Sequence, residues 1–75
     1  MKETLEYILK SILKDSSDQI SVDDREEKGV TILEVSAPSD VIGQIIGKEG
    51  RVIKAIRTIL TVSYPNQRFN LEIKD

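Results

Sequence analysis

The stretch VIGQIIGKEGRVIKAIR, Val41 to Arg57, sets up an aliphatic pattern, breaks it with Gly47-Lys48-Glu49-Gly50, and resumes it at once. Before the break, Val41, Ile42, Ile45 and Ile46 make a short apolar turn and a half. After it, a step of about 100° per residue from Arg51 at zero places Val52, Ile53, Ala55, Ile56, Ile59 and Leu60 between roughly 40° and 200°. Arg51, Lys54, Arg57, Thr58 and Thr61 take the opposite arc, from roughly 240° round to 0°. The spacing predicts two helices joined by a glycine-bracketed tetrapeptide. The second spans residues 51–63, with one face for a core and another that is basic. Tyr64-Pro65-Asn66 ends it, because proline disfavours helical geometry in the residue before it.

A helix N-terminus offers unpaired backbone N–H groups and a partial positive charge, so it favours anions. Glycines beside it let a sugar-phosphate backbone approach without striking a Cβ, and Lys48 and Arg51 stand ready as phosphate partners. Taken alone, the tetrapeptide reads rather as a glycine-mediated helix-helix turn with solvated charges.

Outward toward the N-terminus, Pro38-Ser39-Asp40 stops a strand, and Ser39 or Asp40 supplies a cap for the following helix. Gln19 to Ala37 reads as two strands around a charged turn. Ile20 and Val22 alternate with Ser21 and Asp23, and Lys28-Gly29 gives the turn its permissive residue. In the second strand the adjacent pair Ile32-Leu33 breaks alternation, which means either cover on both faces or a bulge that shifts the phase. Leu5, Ile8, Leu9, Ile12 and Leu13 share one helical face over residues 3–14, and Asp15 to Asp18 end that helix. At the other end Phe69, Leu71 and Ile73 alternate with polar residues in a closing strand. The order is α-β-β-α-α-β. The expectation is an α+β fold with three helices on one face of a three-stranded mixed sheet. Leu5, Ile8, Leu9 and Ile12 are expected in its core with Ile56, Ile59, Phe69 and Leu71.

At 75 residues the chain has room for one domain and a modest core, with no large enclosed substrate cavity. It contains no cysteine and no histidine, which removes disulfides, thiolate metal sites and the commonest general base. Gly43 to Lys48 is one residue short of a phosphate-binding P-loop and lacks the Ser or Thr that follows the lysine there. Asp23, Asp24, Glu26 and Glu27 read as a solvated hairpin turn in preference to a cation site. No catalysis, metal or cofactor is expected. The aliphatic runs fall far short of the about 20 residues of a membrane span, and Met1 to Lys10 lacks the uncharged core of a signal peptide. The expected location is the cytoplasm. With 11 basic against 13 acidic residues, any nucleic-acid binding has to rest on locally concentrated charge.

The run Ile42 to Thr58, with its GXXG tetrapeptide between two helices, resembles the KH domain. The element order over the whole chain resembles the type II KH arrangement. The length, the runs IGKEGR and AIRT, and the closing RFNLEIKD resemble the small single-KH bacterial RNA-binding proteins of the KhpA type.

The resemblance implies single-stranded RNA binding, with the loop clamping the backbone of about four nucleotides and the bases in an adjoining apolar groove. It implies one KH domain over residues 1–75, with its GXXG loop at 47–50. Gly47 and Gly50 become the close-approach points, and Lys48, Glu49 and Arg51 lie on the phosphate side. Lys54 and Arg57 extend a basic stripe that also reads as a solvated helix face. Ile45, Ile46 and Ile53 are candidates for the groove floor, or plain core. Glu49 puts a negative charge in the loop and implies weak affinity for a lone domain. The resemblance further implies a post-transcriptional regulator or RNA chaperone, acting as a homodimer or as a heterodimer with another KH-containing RNA-binding protein. The rival reading is an adaptor that uses the same fold for protein interaction, with little RNA affinity of its own.

Overall fold

The computed structural model describes residues 1–74. Helix α1 runs from Lys2 to Ile12 and buries Leu5 and Leu9. It stops two residues before the expected end. The Ser- and Asp-rich segment goes instead into a 3-10 turn over Lys14–Gln19, where polar side chains compete for backbone groups. Strands β1 (Ser21–Glu27) and β2 (Val30–Ser36) form an antiparallel hairpin. Its two turn residues, Lys28 and Gly29, have φ of 51° and 81°, the positive values that a two-residue type I′ turn requires. Helix α2 (Ser39–Ile46), a 3-10 turn (Lys48–Gly50) and helix α3 (Arg51–Ser63) then cross over the sheet. Strand β3 (Arg68–Lys74) follows, parallel to β2. The sheet order is β1-β2-β3, hence mixed, in the α-β-β-α-α-β order that the periodicities predict.

The registers run without a bulge, Leu33 opposite Asp24 on one side and Leu71 on the other. Alternation therefore puts Val22, Leu33, Val35, Leu71 and Ile73 on the face that meets the helices, with Leu5, Leu9, Val41, Ile45, Ile56 and Leu60 above them. Ile32 points to the opposite face and is nevertheless buried. It sits in a row between Arg25 and Asn70. Arg25 reaches Glu27 at 2.9 Å, Glu34 at 3.3 Å and Glu72 at 3.6 Å, and Lys74 reaches Glu34 at 3.0 Å. The aliphatic stems of long charged side chains cover apolar neighbours in this way. Of the two readings of Ile32-Leu33, cover on both faces is the one the structure adopts.

Three expectations need correction. Ile12 is 52% exposed and Ile59 45% exposed, so neither belongs to the core. Ile12 closes the last turn of α1, and Leu13 packs inward in its place. Ile59 lies on the flank of its helix. Three strands and two neighbouring helices cover only the arc from Val52 to Ile53, roughly 100° to 200°, and the outer part of the predicted apolar arc stays in solvent. The third concerns the cap of α2. The helix begins at Ser39, and Pro38 occupies the cap position without a side-chain cap bond. Its fixed φ of −61° suits the entry to a helix. Among the described residues no helix is long and apolar enough to cross a membrane.

Candidate nucleic-acid interface

The tetrapeptide between α2 and α3 is a sharp, glycine-dependent turn. Gly47 closes α2 with its N–H on the Gly43 carbonyl at 2.9 Å, and Gly50 N–H returns to the Gly47 carbonyl at 3.1 Å. Three of its backbone conformations lie at positive φ: Gly47 at 77°, Glu49 at 57° and Gly50 at 73°. Gly47 combines that φ with ψ of 175°, a region essentially reserved for glycine.

The two glycines have different neighbours. A Cβ on Gly47 would stand 2.8 Å from Val52 Cβ and closer still to Val52 Cγ2. Gly47 is therefore where the start of α3 packs against the end of α2, a contact inside the protein. A Cβ on Gly50 would meet only Ile53 Cγ2 and Lys54 Cε, both at 4.0 Å. Gly50 borders open space at the N-terminus of α3, and of the two it is the one that leaves room for an incoming backbone.

Lys48, Glu49, Arg51, Lys54 and Arg57 are all exposed. From the loop the cations continue along one arc of α3, where Lys54, Arg57, Thr58, Thr61 and Val62 line a shallow open depression. Thr58 Oγ1 donates to the Lys54 carbonyl at 3.0 Å, and Thr61 Oγ1 donates to the Arg57 carbonyl at 2.9 Å. With both hydroxyl protons used inside the helix, the donors available to an anion on this arc are the ammonium and guanidinium groups. Thr58 and Thr61 fall on the basic arc by the helical spacing alone, the signal that marks them as its lining. Glu49 is the exception in sign, its Oε1 3.8 Å from Arg51 Nη2.

The apolar candidates separate. Ile45 is fully buried within the core cluster, so it supports the site from beneath and offers no surface, which corrects its assignment to a groove floor. Ile46 is 38% exposed, and Ile53 is half-buried against the core. These two flank the loop with accessible aliphatic surface. On the far side of the sheet, alternation divides the acidic hairpin residues: Asp23 and Glu27 share the Arg25 face, Asp24 and Glu26 the other. Among the described residues no group of three or more His, Cys, Asp or Glu is arranged to hold a metal ion.

The sequence matches the family described as KhpA/KhpB, KH domain, over residues 2–74. It is 43% identical to the "RNA-binding protein KhpA" of Chlamydia pneumoniae, with 100% of this chain and 97% of the relative covered. It is similar to proteins of the same name from Borreliella burgdorferi, 39% identical over 97% of this chain and 90% of the relative. For Clostridium acetobutylicum the figures are 37%, 97% and 99%.

Proposed function

The chain belongs to the KhpA/KhpB KH-domain family, and from that membership we propose that it binds single-stranded RNA through the loop at 47–50. The fold is the type II KH arrangement, and residues 1–75 act as one such domain. The observation that carries the proposal is the exposed arc of Arg51, Lys54 and Arg57 on α3, with exposed Lys48 in the turn before it and the open side of Gly50 at its start. RNA phosphates run along the start of α3, on Lys48, Arg51 and the stripe beyond. Bases lie against Ile46 and Ile53, since single-stranded RNA offers splayed bases for apolar contact. With one small basic patch in a chain of net charge −2, affinity is modest and steeply salt-dependent. The role is regulation or remodelling of RNA in the cytoplasm, without catalysis. Arg51→Ala should weaken binding to all RNA sequences alike and flatten the slope of log K against log salt by about one, as a lost phosphate contact does. Titrations over a salt series check this, and an unchanged slope would remove Arg51 from the phosphate path.

We propose also that the domain works in pairs, with a second copy or with another KH-containing RNA-binding protein. Two linked sites gain affinity through effective concentration, which one small patch needs. Ile59 and Val62, 45% and 74% exposed on the flank of α3, supply apolar surface for such a contact. The same residues favour the second reading, an adaptor whose business is protein contact. Light scattering at tens of micromolar should show a dimer that Ile59→Asp converts to monomer. A parent that is monomeric throughout excludes a tight homodimer and leaves the heterologous pair.

A further inference from the structure

The four exposed cations of the loop and the start of α3 differ in one respect. Arg51 Nη2 stands 3.8 Å from Glu49 Oε1, whereas Lys48, Lys54 and Arg57 make no ion pair among the described residues. We propose that Glu49 is a built-in competitor for Arg51: its carboxylate holds the guanidinium that an RNA phosphate has to take over, and thereby sets the affinity of the loop. The inference rests on the reading of this loop as the RNA-backbone contact and names the residue that tunes it.

The geometry supports a competitor that can be displaced. Glu49 is not part of a regular helix. With φ of 57° and ψ of 25°, inside the turn that the Gly50-to-Gly47 hydrogen bond closes at 3.1 Å, it stands within ion-pair reach of Arg51, two residues further on. Both side chains are largely exposed, 69% for Glu49 and 78% for Arg51, and exposed pairs are weak. A backbone phosphodiester carries the same single charge as the carboxylate, but it arrives on a strand that the other cations of the stripe also hold, so it can take the guanidinium from a weak exposed pair. Two penalties then fall on the complex. Glu49 loses its partner, and its charge remains beside the phosphates that displaced it. Glutamine at this position keeps the length of the side chain and removes both.

The test uses the full chain and four proteins: parent, Glu49→Gln, Arg51→Ala and the double variant. Each is checked for folding by circular dichroism and titrated with a mixed-sequence single-stranded RNA of about eight nucleotides, twice what a KH loop clamps. Glu49→Gln should bind about 2–5-fold tighter than the parent at about 0.1 M salt, the size expected for an exposed charge contact. The gain should shrink toward nothing at about 1 M, where screening acts over roughly 3 Å. In the Arg51→Ala background the gain from Glu49→Gln should be clearly smaller, because only the repulsion between Glu49 and the phosphates is then left to remove. Equal affinity of parent and Glu49→Gln overturns the proposal. So does a gain that survives undiminished without Arg51, since Glu49 would then act on the phosphates by itself. If none of the four binds, the RNA reading fails first and takes this inference with it.

Discussion

Gly47→Ala should lower the stability of the fold by about 2–6 kcal/mol, the sum of a disallowed backbone conformation and an overpacked contact at about 1–3 kcal/mol each. The first part follows from φ of 77° with ψ of 175°, where a Cβ is not tolerated. The second follows from Val52, whose side chain already fills the space the new methyl would need. A domain of this length holds roughly 4–11 kcal/mol in total, so the variant should be marginal or unfolded. Gly50→Ala makes the informative comparison. It shares the positive φ, 73°, at about 1–2 kcal/mol for a left-handed alanine. Its new methyl would meet nothing closer than 4.0 Å. That variant should stay folded and lose RNA affinity, because the methyl enters the space left for the sugar-phosphate chain. Urea unfolding followed by circular dichroism separates the two. A Gly47→Ala protein with the parent's midpoint would show that α2 and α3 do not meet as closely as described.

The same pair of glycines marks how far the sequence could be read. Element order and sheet face were legible because they rest on periodicity: Phe69, Leu71 and Ile73 alternate, and Leu5 and Leu9 repeat at a helical interval. Which residues lie at the edge of a buried face was not, because that depends on what covers it. Ile59 has the same side chain as Ile56, yet 60° of helix rotation leaves it 45% exposed while Ile56 is at 1%. Ile32 and Leu33 likewise could not be resolved by pattern. Their joint burial needs a sheet whose second face is covered by the Arg25 ion pairs, and those bring together three strands. For the candidate site, the basic arc of Arg51, Lys54 and Arg57 follows from a constant 100° step and was visible at once. The division of labour between Gly47 and Gly50 was hidden, because it turns on the side chain of Val52, and the motif treats both glycines alike. Ile45 misled for a related reason. An isoleucine next to a functional loop looks the same in sequence whether it faces the ligand or the core.

The largest effect on function is expected from the double substitution Lys48→Asp and Glu49→Asp. Both positions are exposed, both glycines stay, and aspartate tolerates the left-handed conformation at position 49 better than most residues. Folding should therefore change little. The inner loop residues go from one cation and one anion to two anions at the start of the phosphate path. Lost attraction and added repulsion both act on binding, and charge reversal at a contact of this kind should weaken it at least roughly tenfold, about 1.4 kcal/mol. The direct measurement is the affinity of this folded variant for single-stranded RNA beside that of the parent, at one fixed salt concentration. A loss of roughly tenfold or more, with the unfolding midpoint preserved, is the result expected of an RNA-clamping loop. Equal affinity would contradict it: the tetrapeptide would then be only the turn between α2 and α3, and the exposed flank of Ile59 and Val62 would become the working surface.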